Sequence, residues 1–321
     1  MTVQRDFPLS EVLFYKVGGK AKYFLTVESK ESILQAIDFI KNNHIEKIFI
    51  CGLGSNLIFS DDYFDGVVIQ IASAKQHSLM INKDGLVESF AGEELDKLIT
   101  FSFDNHLVGL EWAGGLPGTV GAGVRGNVGA FGGEIKDSLV EADVLDYSNE
   151  KPELKTLTNK QLQFIYRGSL VKSHKKMIVV AARFKLREGN AEEVASAKAV
   201  YEKNIQNRRD RHPLEYPNCG SVFKNLRDKE QIDKVLSLYP DLRENVEKKW
   251  YGKVAVASLI ERLGLKGYRV GDAQVSEKHA LFIVNLGNAK AKDVLQIINT
   301  IQVKFQEKFG FMPEVEAEVV L

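Results

Sequence analysis

The segment that decides the fold is GGLPGTVGAGVRGNVGAFGG, residues 114–133, which has nine glycines among its 20 residues. This is more glycine than a single turn needs, and the backbone amides of such a stretch can line an extended ligand such as a dinucleotide diphosphate. The alternative is a flexible linker, which would lack side chains that pack. Apolar residues nevertheless recur through the segment, at Leu116, Val120, Val124, Val128 and Phe131.

A second glycine loop, GLGSNL at 52–57, lies upstream and directly follows the apolar run 45–50. A Rossmann fingerprint would need a third glycine at Leu57 and a helix after it, and neither is indicated. The Walker pattern is also absent. The loop is therefore either a phosphate-binding loop of another kind or a tight turn that needs positive φ.

Outside the two loops, the apolar periodicity changes repeatedly between that of strands and that of helices. Residues 190–212 are polar, favour a helix and end in basic residues, which is typical of a connection between domains. The pattern as a whole predicts a mixed α and β fold. The predicted strands cover 45–50, 67–71, 177–186, 281–285 and 314–321, and the predicted helices cover about 30–40, 95–103, 258–263 and 293–309.

Length and composition exclude several classes of protein. The chain has 321 residues, 44% of them hydrophobic and 27% charged, which suggests about two globular domains. Basic and acidic residues balance at 43 each, which argues against a nucleic-acid binder. Two cysteines, Cys51 and Cys219, cannot form a disulfide framework. No signal peptide is indicated, and the longest apolar run of about six residues falls short of the ~20 that a membrane span needs. We expect a cytoplasmic protein.

Several motifs carry a family resemblance. GLGSNLIFSD at 52–61 and GLPGTVGAGVRGNVGAFGGEI at 115–135 resemble the flavin-binding loops of the UDP-N-acetylenolpyruvoylglucosamine reductase (MurB) family of peptidoglycan synthesis. The resemblance extends from about residue 7 to 318. Its further motifs are FIYRGSLV at 164–171, HPLEYPNCGSVFKN at 212–225, LIERLGLKGYRVGDAQVSEKHALFIVN at 259–285 and FGFMPEVE at 309–316.

The resemblance implies the family's fold and domain order. The fold would be α+β, with an FAD-binding domain of the p-cresol methylhydroxylase type in two subdomains and a smaller αβ substrate-binding domain. The first subdomain would comprise 1–70 with 309–321, the second 71–205, and the substrate domain 206–308. Arg167 and Ser221 are 54 positions apart, too close for an extra substrate loop, so the chain resembles the shorter type II branch.

The resemblance also implies a reaction. The family uses non-covalent FAD and NADPH to reduce UDP-N-acetylglucosamine enolpyruvate to UDP-N-acetylmuramate, a step that serves cell-wall formation, cell shape and division. No nucleic acid, membrane or metal is expected as a partner, and we expect a monomer. The cofactor residues implied by the matching motifs are Gly52, Gly54, Ser55, Asn56, Leu57, Gly115, Pro117, Gly118, Thr119, Gly121, Gly123, Asn127, Gly129 and Ala130.

Three residues are implied in catalysis: Arg167, Ser221 and Glu314. An arginine can hold a carboxylate through two parallel hydrogen bonds, and the resemblance assigns Arg167 to the substrate enolate. Ser221 would protonate the carbanion, although a Gly-Ser turn is the ordinary interpretation of such a pair. Glu314, Glu316 and Glu318 alternate along the predicted last strand, and the family's Pro-Glu-Val motif selects Glu314. A carboxyl group beside a developing anion would work best protonated, which would require a raised pKa.

Substrate binding is assigned by resemblance to Tyr166, Arg211 and Asn225. Arg211 stands where the family usually has lysine, so the charge is kept while the geometry differs. Leu13-Phe14 replaces a usual threonine pair, which bears on flavin-side packing. The six histidines show no metal-ligand spacing, and none is assigned to chemistry.

Two alternatives to the reductase remain open at this point. A flavoprotein oxidase of the same fold would often tether its flavin through histidine or cysteine. However, 109–133 contains no histidine, and Cys51 is the only thiol near a glycine loop. A non-catalytic nucleotide-binding relative is disfavoured because Arg167, Ser221 and Glu314 are all present.

Overall fold

The computed structural model of the protein describes residues 1–73 and 78–321. His77, one of the histidines to which no chemistry is assigned, lies outside the described residues. Strands and helices both recur along the chain, and the predicted mixed α and β fold is confirmed.

The strands are numbered in chain order. They are β1 Thr2–Pro8, β2 Lys20–Val27, β3 Ile48–Cys51, β4 Leu57–Phe59, β5 Phe64–Ile71, β6 Leu79–Ile81, β7 Val87–Phe90, β8 Leu107–Val108, β9 Gly129–Ala130, β10 Gly133–Glu134, β11 Leu139–Asp146, β12 Glu153–Thr158, β13 Met177–Phe184, β14 Arg187–Glu188, β15 Arg269–Val270, β16 Ala273–Val275, β17 Ile283–Asn285 and β18 Glu318–Val320. The α-helices are α1 Lys30–Asn42, α2 Leu95–Asp104, α3 Val120–Gly126, α4 Leu170–Ser173, α5 Ala191–Arg211, α6 Lys229–Leu238, α7 Arg243–Lys248, α8 Val256–Arg262 and α9 Ala291–Phe309.

The chain divides into two compact units. The first unit comprises Met1–Phe7, Ala21–Leu53 and Phe64–Asp210. It contains a four-stranded sheet of order β1-β2-β5-β3, in which β5 pairs in parallel with both β2 and β3. It also contains an antiparallel sheet of order β12-β11-β13-β7-β6. A hydrophobic core that includes faces of α1 and α2 lies within this unit.

Helix α1 illustrates how well local sequence predicts structure. The Ser29 side chain accepts a hydrogen bond from the backbone amide of Ser32, which satisfies one of the free donors at the helix start. Ile33, Ile37 and Ile40 are buried on one face, as their spacing predicts. The predicted helix is confirmed.

The glycine-rich segment is more ordered than a loop. Its middle forms helix α3, and the hydroxyl of Thr119 accepts a hydrogen bond from the amide of Ala122 at the helix start. Val120 and Val124 are fully buried, which confirms that they pack. The expectation for Phe131 is wrong, because its side chain is 53% exposed.

The second unit comprises Pro8–Lys20, Gly54–Tyr63 and Arg211–Leu321. It has its own hydrophobic core, to which α6, α8 and α9 contribute buried faces. A three-stranded antiparallel sheet of order β15-β16-β17 lies within it, and β4 pairs in parallel with β18. The division into two flavin subdomains and a substrate domain stays a prediction.

The predicted last strand over 314–321 is wrong in its first half. Only Glu318–Val320 forms a strand, and Val315 makes an isolated antiparallel bridge with Phe223. The amides of Glu316 and Ala317 both approach the carbonyl of Val222, at 2.7 and 3.4 Å. This irregular pairing breaks the period of two, so Glu314, Glu316 and Glu318 do not share one strand face.

Candidate active site

The two glycine loops meet in the first unit at Gly52 and Thr119. A Cβ atom on Gly52 would lie 2.4 Å from the Thr119 hydroxyl oxygen, far inside van der Waals contact. Gly52 directly follows β3, and Thr119 precedes α3. Glycine at position 52 is therefore required by the close approach of the two loops.

The remainder of the first loop lies in the second unit. Gly54 has φ +69°, and a Cβ atom there would lie 2.6 Å from Cδ2 of Leu13. Leu13 is buried and Phe14 is 49% exposed, so the residues that replace the usual threonine pair have opposite environments. The side-chain Nδ2 of Asn56 donates to the carbonyl of Glu316 at 3.3 Å, which ties this loop to the segment after Glu314.

Several predicted cofactor residues in the second loop also hold the loop itself together. Gly115 has φ +68° and Gly118 has φ +154°, conformations that favour glycine. The side-chain Nδ2 of buried Asn127 donates to the carbonyl of Ile165 at 3.0 Å. Gly121 packs against Ala91, where a Cβ atom would lie 2.7 Å from the alanine methyl carbon.

Arg167 occupies a tight hairpin in the first unit. Ile165 and Gly168 exchange backbone hydrogen bonds of 3.0 and 3.2 Å, and Arg167 lies between them with φ +58°. Its Nη1 donates to the carbonyl of Gly129 at 2.8 Å. The guanidinium also lies 5.5 Å from the ring centre of Tyr166. A predicted catalytic residue and a predicted flavin-loop residue are thus in direct contact.

Arg208, one of three clustered arginines that the sequence suggests only weakly as a nucleic-acid patch, also lies in this region. It lies on α5 and is 8% exposed, its Nε donates to the carbonyl of Gly114 at 2.9 Å, and its guanidinium lies 5.1 Å from the ring centre of Phe131. Within 1–73 and 78–321, its Nη2 atom has no hydrogen-bond partner. Burial, with a smaller contribution from the positive charge of Arg167, lowers the pKa of Arg208 to about 10. Two neighbouring guanidinium groups, one of them deeply buried, suit an anionic ligand.

A signal for Arg208 is present in the sequence, although it is weak. The buried positions of α5 are spaced by three, seven and four residues, which marks one helix face. Arg208 lies on that face and Arg209 does not. The buried residues are Val194, Ala197, Asn204 and Arg208.

Ser221 lies in the second unit on a loop with a fixed backbone. Gly220 has φ +78°, its amide donates to the Asn218 side chain at 2.9 Å, and the amide of Val222 donates to the carbonyl of Leu281 at 2.9 Å. Ser221 is half-buried, and no residue that the structure describes makes a hydrogen bond with its hydroxyl. A serine so held is available to a ligand.

Cys219, two residues before Ser221, is 1% exposed. Burial raises the pKa of its thiol to about 12. A thiol in this state is a poor nucleophile, which agrees with a structural role for Cys219.

Glu314 lies beside the segment that carries Ser221. The amide of Lys224 donates to the carbonyl of Glu314 at 2.9 Å, and the ammonium of Lys224 forms an ion pair with the Glu314 carboxylate. The side chains of Ser221 and Glu314 make no direct hydrogen bond with each other. Lys224 is thus the charged partner of the Glu314 side chain.

Two of the residues predicted to bind the substrate also lie in the second unit. Asn225 accepts a hydrogen bond of 3.2 Å from the amide of Val256, the first residue of α8. Its side-chain oxygen is therefore used to begin a helix, while no residue in 1–73 or 78–321 makes a hydrogen bond with its NH₂ group. Arg211 is exposed at the end of α5.

Two findings limit the kinds of site that the described residues can form. In 1–73 and 78–321, no group of three or more His, Cys, Asp or Glu side chains could hold a metal ion. None of the helices in the same ranges has both the length and the apolar character of a membrane span.

Comparisons with known proteins identify related sequences over nearly the whole chain. Residues 21–151 match the family model described as FAD binding domain, and residues 212–320 match UDP-N-acetylenolpyruvoylglucosamine reductase, C-terminal domain. The UDP-N-acetylenolpyruvoylglucosamine reductase of Synechocystis sp. is 36% identical, over 99% of this chain and 90% of the relative. That of Latilactobacillus sakei is also 36% identical, over 100% of this chain and 94% of the relative.

Solved structures give the same result. The crystal structure of UDP-N-acetylenolpyruvylglucosamine reductase (MurB) from Thermus caldophilus is similar to this chain with a TM-score of 0.76 and 29% identity. The match covers 100% of both chains. Together, the sequence identity over nearly the whole chain and the matching fold show that the chain belongs to the UDP-N-acetylenolpyruvoylglucosamine reductase family.

Proposed function

We propose that this chain is an FAD-dependent reductase that uses NADPH to reduce the enolpyruvyl double bond of UDP-N-acetylglucosamine enolpyruvate, giving UDP-N-acetylmuramate. One observation supports the proposal in addition to family membership. The half-buried hydroxyl of Ser221, which has no described protein partner, lies on a fixed loop beside the segment of Glu314. A proton donor to a carbanion needs this combination of fixed position and free hydroxyl.

The first unit fits a flavin nucleotide in its chemistry. Gly52 and Thr119 bring the two loops together. Next to the second loop, Arg208 presents a buried Nη2 atom that has no hydrogen-bond partner in the part of the chain that the structure describes. Bound FAD would supply the electrons that reduce the substrate double bond. The residues proposed to hold it are those named from the two loops, from Gly52 to Leu57 and from Gly115 to Ala130, with Arg208 added.

Arg167 is proposed to bind the substrate carboxylate and to stabilise the negative charge that develops on it. Its contact with the Gly129 carbonyl fixes one nitrogen of the guanidinium, so the group has a defined orientation before the substrate binds. Tyr166 packs beside the guanidinium and is proposed to contact the substrate.

In the second unit, Ser221 is proposed to donate a proton to the substrate carbanion, and Glu314 to assist at the carboxylate. The side-chain NH₂ group of Asn225 and the exposed guanidinium of Arg211 are proposed to bind the uridine diphosphate group. Both side chains suit a diphosphate, since each can donate N–H groups to anionic oxygens.

We also propose an oligomeric state, a location and a domain division for the protein. We infer a monomer located in the cytoplasm that takes part in cell-wall precursor synthesis, with FAD held non-covalently and without nucleic acid or membrane as partners. The three-part division at residues 70, 205 and 308 is proposed with it.

The test begins with a visible absorbance spectrum of the purified protein and of the supernatant after heat denaturation. Flavin bands that move into the supernatant support non-covalent FAD. NADPH consumption that depends on the enolpyruvyl substrate would then support the reductase, and Ser221→Ala should lower kcat by about 10²-fold or more. Ser237→Ala, an exposed serine on α6, is the control. A colourless protein that takes up no FAD would overturn the proposal.

A further inference from the structure

Lys224 has no role in the function proposed above, yet it contacts Glu314 twice. Its ammonium forms an ion pair with the Glu314 carboxylate, and its backbone amide donates to the Glu314 carbonyl at 2.9 Å. The neighbouring residues Phe223 and Val315 form an antiparallel bridge. The pairing of the two segments therefore places Lys224 opposite Glu314.

This ion pair differs from an ordinary surface pair in how much of its lysine side chain is exposed. The Lys224 side chain is 19% exposed, whereas that of Glu314 is 70% exposed. A largely covered lysine has already lost much of its rotamer freedom in folding, so forming the pair costs little further entropy. In contrast, the pair between Lys229 and Asp233 on α6 has side chains that are 88% and 58% exposed.

The backbone around Glu314 is also fixed. Pro313 is buried, and its carbonyl accepts a hydrogen bond of 3.3 Å from the side chain of Gln302. On the other side, the amide of Glu316 donates to the carbonyl of Val222 at 2.7 Å. The freedom left to the Glu314 carboxylate is that of its own side-chain torsions, and the Lys224 ammonium restricts these.

We propose that Lys224 is the positioning residue for Glu314, and that it orients the carboxylate for its part in the reduction. This inference rests on the proposed function, because it assumes that Glu314 acts at the substrate carboxylate. Lys224 acts through Glu314 and does not itself contact the substrate.

A double-mutant cycle tests this role, with kcat and KM measured for Lys224→Met, Glu314→Gln and the double variant. We expect Lys224→Met to lower kcat roughly tenfold or more, since small misplacements of a reacting group are costly. KM should stay within about twofold. In the Glu314→Gln background, the same change should alter kcat by less than about twofold, because the group that Lys224 positions is already gone. Lys224→Arg should recover part of kcat.

The control is Lys229→Met, which removes the exposed pair on α6 and should leave kcat and KM unchanged. Flavin absorbance and the thermal midpoint of each variant show whether it folds. Equal losses of kcat in both backgrounds would overturn the inference. So would a raised KM with unchanged kcat, which would mean that Lys224 binds the anionic substrate directly. A parent protein without NADPH-dependent reduction would overturn the function and the inference together, whereas an active parent with additive losses would overturn the inference alone.

Discussion

The carboxylate of Asp61 accepts a hydrogen bond of 2.9 Å from the backbone amide of Ala291, which is 230 residues further along the chain. It accepts a second, of 3.1 Å, from the amide of Lys292. These two amides belong to the first turn of α9, where backbone donors lack partners within the helix. Asp61 ends the glycine motif 52–61, so one part of that motif caps a helix of the second unit.

Replacing Asp61 with alanine should destabilise the protein by about 1 kcal/mol. Two backbone donors at the start of α9 lose their acceptor, and the positive end of the helix dipole loses a neighbouring negative charge. A thermal midpoint lowered by about 2–4 °C is the expected result. Asp62→Ala is the matched control, since the exposed Asp62 carboxylate accepts a hydrogen bond only from the nearby Ser60 hydroxyl among the residues that the structure describes. Equal effects of the two changes would show that Asp61 does not cap α9.

Gly52→Ala should weaken both folding and flavin retention. The new methyl carbon would lie 2.4 Å from the Thr119 hydroxyl, and relieving such an overlap typically costs about 1–3 kcal/mol. FAD released on gel filtration and a lowered thermal midpoint are the measurements. Gly126→Ala should have neither effect, because at this helical position no described atom outside the local helix backbone would lie within 4 Å of the new carbon. A Gly52→Ala protein that retains FAD like its parent would contradict the required close approach.

Arg208→Met should separate stability from cofactor binding. Removing a buried cation beside Arg167 relieves a desolvation cost and a repulsion, so the apoprotein should be no less stable than its parent. FAD affinity should nevertheless fall about tenfold, which corresponds to about 1.4 kcal/mol. Titration of apoprotein with FAD by fluorescence measures this, with exposed Arg209→Met as the control. An unchanged affinity would leave Arg208 with a packing role only.

The pH dependence of unfolding should contain a contribution from His279. Burial lowers the pKa of its imidazole, opposed by the negative charge of Glu261, and its Nδ1 accepts a hydrogen bond of 3.3 Å from the amide of Leu281. The folded state therefore favours the neutral ring. The resulting stability is present above the unfolded pKa of about 6.5 and is lost as the pH falls below it.

His279→Asn keeps an acceptor and removes the charge, so its free energy of unfolding should fall less on acidification. Urea unfolding at about pH 7.5 and about pH 5.5 compares the two proteins. Identical losses in parent and variant would assign the acid sensitivity to other groups.

Local patterns predicted the helices better than the pairing of strands. Ser29 and the apolar face of α1 were readable because both depend on neighbours within one or two turns. The segment after Glu314 was predicted as one strand, whereas it pairs irregularly with residues 222–224. That pairing depends on residues about 90 positions away in sequence, and no local period encodes it.

The residues of the candidate site also differ in how far the sequence predicted them. Family motifs supplied Arg167, Ser221 and Glu314, and their roles stay predictions. Lys224 emerges only from its burial and contacts, because a basic residue in a sequence is usually a solvated one. For Arg208, the sequence carries only the weak signal of its place on the buried face of α5. Asp61 belongs to the motif 52–61, whose glycines are assigned to flavin binding by resemblance. Its carboxylate instead accepts a hydrogen bond at the start of α9.

The parallel pairing of β4 with β18 joins Leu57–Phe59 to Glu318–Val320. During synthesis, roughly 260 further residues must be added before β4 meets this partner, which at about 5–20 residues per second takes roughly 13–50 seconds. Throughout that interval, one edge of a fully buried apolar strand remains without its native neighbour. A nascent chain of this kind has a long period of exposure to chaperones and to strand-mediated aggregation, so its yield in cells should respond to translation speed.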